Sequence, residues 1–364
     1  MKKKRIIHFI FDLGRGGAET MLVRVLQELN EYENIVVTFI PMNHFGEELK
    51  CDKLICLNLK SLLLLPFIVF KFRKVVRAEK PDLVHTHLFW PTIIARLSVP
   101  SRIPLLTTIH AFIASSVEYR QWHIRFLDKL TYRFRKSIII VVAKGALKEY
   151  FSFLKLKPYK SYALYTFVDI GRFNLSHVTA PDDSPVFRVI SVGALRKQKN
   201  YAYLVEAFSK IKDKPVELHI YGRGDLEASL RQQIEATGAR VILKGQHKDI
   251  EKIIPQYDLY VMSSIFEGFS LSVLEAMAMG MPLLLSDISS FREQCDGVAE
   301  FFSLSNNEDL VQKILSFSQK TKAELKAVGE RSRQKAVNEY TLEQHLEGLR
   351  KIYAEALQET NSKA

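Results

Sequence analysis

Cysteine is scarce in this sequence, whose 364 residues include only Cys51, Cys56 and Cys295. Three is an odd number, and the spacing matches no metal-binding pattern. A disulfide framework or a cysteine-bound zinc site is therefore not expected. The pattern instead indicates free thiols in a protein of a reducing compartment, the cytoplasm.

The sequence also lacks a long apolar run. The longest one, Leu62 to Phe70, contains Pro66 and falls well short of the ~20 apolar residues that span a bilayer. The amino terminus, Met1 to Arg5, resembles the charged start of a signal peptide, but charged residues from Asp12 onward interrupt the apolar stretch that follows. We expect that stretch to form a first strand, and the protein to be soluble or to lie on a membrane surface.

Nucleic-acid-binding signatures are missing as well, although the chain is strongly basic. Its 52 Lys and Arg residues outnumber 40 Asp and Glu residues, which gives a net charge of +12. Such a charge indicates an anionic partner. Because no zinc-finger, RNA-recognition or helix-turn-helix pattern accompanies it, we expect a phosphate-bearing substrate or an acidic membrane surface and no nucleic acid.

Apolar strand-like runs alternate with helical patterns along most of the chain, which is typical of an α/β protein with parallel sheets covered by helices. A chain of 364 residues suits two domains. The turn-forming stretch Pro181 to Pro185 interrupts the alternation and predicts a linker. The expected divisions are a first domain at residues 1–174, a linker at 175–186, a second domain at 187–340 and a C-terminal helix at 341–364.

The stretch from Asp258 to Asp287 carries the strongest functional signal. It reads as a strand, a loop, a helix and a second strand, and its loop lies at the carboxyl end of the first strand, where open α/β sheets bind ligands. Glu267 is in the loop and Glu275 is in the helix. Both could be ordinary solvated acids, since Glu favours exposed positions. The apolar neighbours of Glu275 favour instead a carboxylate that is turned toward a polar ligand or a specific partner.

Three other loops follow predicted strands. The loop Gly193 to Asn200 carries clustered cations that are well placed to hold a diphosphate, and Gly222 to Gly224 would form another wall of that site. The loop Gly14 to Glu19 would offer backbone amides to an anion, although its spacing is not that of a Rossmann or P-loop motif. Solvated charged loops and a simple tight turn are the alternatives.

Histidines stand near the ends of two predicted strands. His110 leaves a strand for a loop, where both site residues and structural residues occur. His85 and His87 could suggest a metal, but no carboxylate or third histidine is obviously placed beside them. Structural roles are therefore favoured for this pair.

Two stretches with helical spacing, from Leu65 to Arg77 and from Arg120 to Lys136, combine aromatic and basic side chains. Such helices can lie in a membrane interface with their cations on anionic lipid. They can equally be amphipathic surface helices packed on the sheet, and both interpretations stay open.

The stretch Ser263 to Pro282 resembles the retaining glycosyltransferases of family four, which have the two-domain GT-B fold, and this match is specific. Weaker likeness extends over nearly the whole chain, at Gly14–Glu19, Asp82–His87, His110, Val168–Phe173, Val192–Asn200, Gly222–Gly224 and Glu293. The resemblance implies two Rossmann-like parallel-sheet domains that face each other across a cleft. It further implies that the C-terminal helix crosses back to the first, acceptor-binding domain.

The same resemblance implies roles for individual residues. Glu275 would accept hydrogen bonds from the nucleotide ribose, Glu267 would hold a hydroxyl of the donor sugar, and Lys199 would neutralise the diphosphate. His110 would contact the sugar near the reaction centre. The residues assigned to catalysis are His110, Glu267, Lys199 and Arg196, and those assigned to substrate binding are Gly16, Gly17, Gly193, Gly222, Gly224, Gly268, Phe269, Ser270, Leu271 and Glu275.

The sequence departs from the family pattern at three places. Ala194 stands where the family commonly has Arg, and Arg196 would supply that charge by another route. Thr166 and Phe167 replace an Asn-Gly pair, and Ala143 replaces a usual serine. The first two departures bear on details of donor and acceptor binding more than on the activity.

The expected reaction moves a sugar, with retention of configuration, from a nucleotide-sugar donor to a hydroxyl of a growing, lipid-linked saccharide of bacterial surface polysaccharide. UDP-hexose or UDP-N-acetylhexosamine is the default donor. No Asp-x-Asp metal motif is present, so no metal and no cofactor is expected, and fixed cations with helix N-terminal amides would stabilise the leaving diphosphate. A peripheral contact with the anionic inner-membrane surface is expected from the charge and the basic aromatic helices. A sugar-nucleotide epimerase of the same fold and a non-catalytic scaffold that binds sugar nucleotides or lipid are the alternatives.

Overall fold

The computed structural model describes residues 3–14, 16–110, 113, 118–175 and 185–361. Contacts divide the chain into two units: unit 1 comprises Met1–Thr166 and Leu342–Ala364, and unit 2 comprises Phe167–Thr341. Unit 1 is therefore built from two separate segments of the sequence. The predicted linker at 175–186 lies almost entirely outside the described residues, and the chain passes from one unit to the other after Thr166 and after Thr341.

The described part of unit 1 has a parallel sheet of seven strands in the order β3-β2-β1-β4-β5-β6-β7. The strands are β1 (Arg5–Ile10), β2 (Glu33–Thr38), β3 (Lys53–Cys56), β4 (Leu83–His87), β5 (Leu105–Ile109), β6 (Ile138–Val141) and β7 (Ser161–Ala163). The helices are α1 (Gly17–Glu28), α2 (Leu65–Glu79), α3 (Phe89–Ser98), α4 (Trp122–Phe134), α5 (Lys144–Leu154) and the last helix of the chain, α13 (Leu342–Asn361). The strand order reverses between β1 and β4, and this reversal opens a crevice at the carboxyl ends of those strands.

The described part of unit 2 has a parallel sheet of six strands in the order β10-β9-β8-β11-β12-β13. The strands are β8 (Phe187–Val192), β9 (Val216–Tyr221), β10 (Val241–Gly245), β11 (Leu259–Met262), β12 (Leu283–Ser286) and β13 (Glu300–Phe302). The helices are α6 (Tyr201–Ser209), α7 (Glu227–Thr237), α8 (Ile250–Ile253), α9 (Leu271–Ala278), α10 (Ser289–Cys295), α11 (Asn307–Ser318) and α12 (Lys322–Glu339). The reversal here lies between β8 and β11, which brings the loop after Val192 beside the loop after Met262.

Apolar side chains account for the burial of both sheets beneath their helices. The central strands are buried on both faces, as parallel strands covered by helices require. Most of their residues are apolar, whereas β4 also buries His85, Thr86 and His87. The helix α13 buries an apolar stripe in unit 1, made by Leu346, Leu349, Ile352, Tyr353 and Ala356. Among the described residues, no helix combines the length and the apolar character needed to cross a bilayer.

Candidate active site

Two loops of unit 2 are tied together at the point where the strand order reverses. The hydroxyl of Ser263 donates to the carbonyl oxygens of Lys199 and Asn200, at 2.9 and 3.0 Å. The amide of Ile265 donates to the carbonyl of Gln198 at 2.9 Å. These bonds join the ends of β8 and β11 and fix the positions of the side chains that follow.

Glu267 is the most strongly anchored carboxylate of this site. Its Oε1 accepts hydrogen bonds from Lys199 Nζ and Ser264 Oγ, both at 2.7 Å, and its Oε2 accepts one from Gln198 Nε2 at 3.2 Å. The residue is only 7% exposed. A buried carboxylate is stable only when paired and hydrogen-bonded, and here both oxygens are held. Lys199, predicted to face the diphosphate, is thus bound to Glu267, and its ammonium retains further N–H donors for a ligand.

Glu275, one turn into α9, has the opposite environment. Its carboxylate makes no hydrogen bond and no ion pair with any residue in the described part of the chain, although Leu274 and Ala276 beside it are fully buried. Desolvation raises the pKa of Glu275 to about 7, while the more distant cations Arg172 and Lys199 act in the other direction. An acceptor without a donor at the carboxyl edge of a sheet is suited to receive ligand hydroxyl groups.

The chain between the two glutamates is fixed from behind. The side chain of Gln294 in α10 accepts from the amide of Ser270 at 3.1 Å and donates to its carbonyl at 2.9 Å. Phe269, assigned to substrate binding, directs its ring into unit 2, where it meets the Tyr340 ring edge-on at 5.2 Å between centroids. The backbone of Gly268 to Leu271 leads into α9, whose first-turn amides lack a side-chain cap.

The predicted glycines of unit 2 are explained by close packing. A Cβ on Gly222 would collide with the carbonyl oxygen of Gly193, and Gly222 also has a φ of +149°. A Cβ on Gly224 would lie within 2.8 Å of the Leu195 carbonyl carbon. On Gly193, a Cβ would lie 2.8 Å from Tyr201 Oη and 3.1 Å from Lys199 Cε. These three glycines therefore allow the cationic loop to pack against its neighbour and leave room for Lys199.

Arg196, the proposed substitute for the family arginine, is exposed at the start of the short 3₁₀ turn Lys197–Lys199. Its guanidinium makes no hydrogen bond or ion pair with a residue that the structure describes. A charge at this strand end therefore remains available to an anionic ligand.

Unit 1 places two groups of predicted residues at the carboxyl edge of its sheet. Gly16 and Gly17 begin α1, whose N-terminus has no side-chain cap. Burial raises the pKa of Glu19 in the first turn. The neighbouring Arg15, and the residues Ala111 and Phe112 that follow His110, lie outside the described residues.

His110 follows β5, with its Nε2 3.3 Å from Nδ1 of His87. Burial, with a smaller effect of His345, lowers the pKa of His110 to about 3. The imidazole is therefore neutral at physiological pH, and it can orient a ligand by hydrogen bonding without contributing positive charge.

Sequence reasoning missed several residues that the structure brings to these sites. Gln198 and Ser264 hold Glu267, and Gln294 holds Ser270, from positions that only the fold brings together. Ser264 stands three residues before Glu267, and that spacing was an available signal. The expectation that no third histidine accompanies His85 and His87 is wrong, because His8 of β1 lies against β4 in register with His85.

Comparison with known protein families covers most of the chain. A family model described as glycosyltransferase family 4 matches residues 15–172, and one described as glycosyl transferases group 1 matches residues 186–320.

Individual proteins that are similar to this chain are also named as glycosyltransferases. The chain is 28% identical, over 80% of its length and 83% of the relative's, to a Campylobacter jejuni 4-alpha-N-acetylgalactosaminyltransferase that acts on a diphospho-undecaprenol-linked saccharide. It is 26% identical, over 59% of its length and 60% of the relative's, to the Escherichia coli UDP-Gal:alpha-D-GlcNAc-diphosphoundecaprenol alpha-1,3-galactosyltransferase. Among solved structures, Anabaena HepE in complex with UDP has a TM-score of 0.83 at 16% identity, over 96% of this chain and 100% of that one. That likeness concerns the fold.

Proposed function

Because this chain belongs to the group 1, family 4 glycosyltransferases of the GT-B fold, we propose that it transfers a sugar, with retention of configuration, from a nucleotide-sugar donor to a hydroxyl of a lipid-linked saccharide. The observation that carries the proposal is the contrast between its two site carboxylates. Glu267 is held by three donors, whereas Glu275 has no partner in the described chain. Glu267 is held in a position to orient a hydroxyl group, and Glu275 needs a hydrogen-bond donor from a ligand.

The donor would lie along the carboxyl edge of the unit 2 sheet. Glu275 accepts hydrogen bonds from the ribose hydroxyls, and Glu267 holds a hydroxyl of the transferred sugar. The diphosphate lies near Lys199, Arg196 and the first-turn amides of α9. A helix N-terminus and fixed cations favour a negatively charged group at this place.

The same groups account for the chemistry. Negative charge builds up on the departing nucleoside diphosphate in the transition state, and preorganised cations and amides stabilise that charge without reorganising. No metal and no cofactor is required in this scheme, and the nucleotide sugar is a substrate. The neutral imidazole of His110 orients the sugar by hydrogen bonding. The bond between the anomeric carbon and the diphosphate breaks, and the acceptor oxygen bonds to that carbon from the same face, which retains configuration. The proton of the acceptor hydroxyl passes to the departing diphosphate.

For the donor we propose UDP-hexose or UDP-N-acetylhexosamine. The solved HepE structures contain UDP, UDP with glucose, and UDP-glucose. The Escherichia coli relative uses UDP-Gal by its name. These findings concern those proteins and support the choice of a uridine donor here.

For the acceptor we propose a saccharide on a polyprenyl diphosphate, used in the synthesis of a bacterial surface polysaccharide. Three relatives act on diphospho-undecaprenol-linked saccharides by their names. The apolar anchor of such an acceptor stays in the bilayer, so the enzyme would reach it from the cytoplasmic membrane surface.

The test is nucleoside diphosphate release from a panel of UDP- and GDP-sugars, with polyprenyl-diphosphate-linked and free saccharides as acceptors. We expect release that depends on a lipid-linked acceptor, and a product that keeps the donor's anomeric configuration by NMR. Glu275→Ala should mainly raise the donor KM, and Glu267→Ala should mainly lower kcat. Glu235→Ala, an exposed position on α7, is the matched control and should change neither.

Two outcomes would contradict the proposal. Donor turnover that needs no acceptor would indicate an epimerase. Donor binding without turnover for any acceptor would indicate a non-catalytic scaffold.

A further inference from the structure

Three buried histidines of unit 1 lie together on one face of its sheet. His8 in β1 pairs in register with His85 in β4, and His87 lies two residues further along β4, so all three side chains share a face. Their exposed fractions are 0%, 3% and 3%. The face is covered by α1 and α13, and between these layers lies a cavity of about 20 Å³. A space of this size holds one water molecule or one ion.

The hydrogen bonds around His8 fix which of its nitrogens carries the proton. The amide nitrogen of Asn34 donates to the carbonyl of Leu29 at 2.8 Å, so its Oδ1 is directed toward His8 Nε2, 3.1 Å away. Because Oδ1 can only accept, His8 Nε2 must be the protonated nitrogen. His8 Nδ1 is then a bare lone pair, and it is buried without a partner in the described structure.

His87 presents a second unsatisfied nitrogen. Its Nδ1 faces His110, whereas its Nε2 is buried and has no hydrogen-bond partner among the described residues. The third member, His85, has both nitrogens within 2.7 Å of hydroxyls, those of Tyr353 and Thr108. One nitrogen from each of the three histidines lies within 4.8 Å of the others. Metal–nitrogen bonds of about 2.0–2.1 Å place two ligand nitrogens at most about 4.2 Å apart, so the rings would move inward on binding an ion.

The donors around this cavity are neutral and soft. The thioether residue Met21 lines the cavity with the histidines, and no carboxylate of the described residues lines it. Imidazole suits copper, zinc, iron and nickel, whereas a thioether selects copper(I). A divalent ion without a carboxylate would carry a larger desolvation cost than a monovalent one.

We propose that this cluster is a copper(I) site, with His8 Nδ1 and His87 Nε2 as ligands. Met21, and His85 once one of its nitrogens releases its hydroxyl partner, would complete the coordination. The site lies in unit 1, and His87 connects it to His110 by the hydrogen bond described above. The proposed glycosyltransferase reaction needs no metal, so the copper(I) ion takes no part in the transfer step.

The test is anaerobic titration of the purified full-length chain with Cu⁺ in competition with a chromophoric chelator. Cys51 and Cys56 are partly accessible thiols that would bind Cu⁺ themselves, so every protein tested carries Cys51→Ser and Cys56→Ser. We expect one equivalent of Cu⁺ per chain. His8→Gln and His87→Gln should each lower the affinity by about tenfold or more. His123→Gln, at an exposed histidine of α4, is the matched control and should bind as the parent does.

A measurement on the parent protein keeps the test decisive if a variant fails to fold. X-ray absorption of the copper-loaded chain should show at least two imidazole nitrogens in the first coordination shell. Absence of Cu⁺ uptake, or a shell of sulfur atoms alone, would overturn the assignment. Preferential uptake of Zn²⁺ over Cu⁺ would overturn it as well.

Discussion

Seven residues separate Glu267 from Glu275 in the sequence, yet the two carboxylates have opposite environments. Lys199, Ser264 and Gln198 donate hydrogen bonds to Glu267, whereas no residue of the described chain donates one to the Glu275 carboxylate. An unpaired carboxylate in a desolvated position weakens the folded state when it is ionised. Ligand hydroxyl groups that donate hydrogen bonds to this carboxylate would remove that cost.

We predict that Glu275→Gln stabilises the unliganded protein at high pH and weakens donor binding. The folded-state pKa of about 7 lies above the ordinary value of 4.5, so ionising this group costs the folded state about 3 kcal/mol. The cost is fully present above pH 7, and it is absent below pH 4.5, where the group is protonated in both states. Urea unfolding at pH 8 and pH 5 should therefore show a stabilisation at pH 8 that shrinks at pH 5.

The exposed Glu235→Gln serves as the control for this pH series and should show no such difference. An equal change in the free energy of unfolding for Glu275→Gln at both pH values would contradict the desolvation assigned to the Glu275 carboxylate.

The ion pair between Lys199 and Glu267 should behave as a coupled unit in stability measurements. Their side chains are 15% and 8% exposed, so removal of one partner leaves the other charge largely buried. Breaking a buried pair in this way costs about 3–5 kcal/mol, whereas removing both charges costs less. Chemical denaturation of Glu267→Leu, Lys199→Met and the double variant should show the double variant to be more stable than Glu267→Leu alone. Simple additivity of the two single effects would show that the pair is not coupled.

At the scale of residues, the sequence located both glutamates because apolar neighbours and loop position are local signals. It did not locate Gln198, Gln294 or His8, because their partners lie 69, 24 and 26 positions away and become neighbours only through sheet order. Gly222 and Gly224 were assigned to ligand contact, whereas their packing against the Gly193–Leu195 backbone already accounts for them. Any ligand role of these two glycines stays a prediction.

At the scale of elements, the position of α9 depends on its crossing with α12. Gly329 in α12 lies against the carbonyl of Gly280, and a Cβ there would collide with that oxygen. Ser332, one turn later, donates to the carbonyl of Met281 at 2.9 Å. The contacts that α12 makes with Gly280 and Met281, just after the end of α9, therefore fix the position of the helix that carries Glu275.

We predict that Gly329→Ala destabilises unit 2 and weakens donor binding, because backbone would have to move to admit the methyl group. Overpacking of this kind costs about 1–3 kcal/mol. The matched control is Gly348→Ala in α13, where the Cβ would meet only the flexible end of Leu164 at 2.6 Å. There the gain in helix propensity of up to about 1 kcal/mol offsets a small side-chain shift. Calorimetric unfolding should separate the two variants, and equal midpoints would contradict the close crossing.

The sequence predicted most elements because buried parallel strands read as unbroken apolar runs. It missed β3, an edge strand whose first residues, Lys53 and Leu54, are exposed and read as polar or irregular. An apolar pattern alone does not extend β4 to its end, since His85 and His87 do not read as apolar although both are buried. Edge exposure and buried polar residues are the two conditions under which an apolar pattern fails.

At the scale of the whole molecule, the net charge of +12 and the exposed aromatic residues of unit 1 both favour contact with an anionic membrane surface. Phe67 and Phe70 of α2 are 65% and 67% exposed, and Trp122 and Phe126 of α4 are 70% and 57% exposed. Both helices begin at the carboxyl edge of the sheet, since each follows a parallel strand, and this is the edge of His110. Exposed cations accompany them at Lys71, Lys74, Arg77, Arg120 and Arg133.

We predict that unit 1 binds anionic bilayers through these two helices. Flotation with vesicles that contain phosphatidylglycerol should show binding that falls with added salt, because each cation near an anionic surface contributes only about 1 kcal/mol and is screened. Phe67→Ser and Trp122→Ser should each weaken flotation. Ile242→Ser, an exposed apolar position of unit 2, is the control. Equal binding to neutral and anionic vesicles would reject this electrostatic contact.

The return of α13 to unit 1 has a consequence for how the protein is made. During translation, residues 1–166 leave the ribosome while the helix that covers β1 and β4 has yet to be synthesised. Tyr353, which meets His85 at 2.7 Å, is separated from it by 268 positions and by all of unit 2. Unit 2 is continuous in the chain and can complete its fold first. The nascent first unit must meanwhile leave exposed the apolar face that α13 covers, until α13 itself has been synthesised.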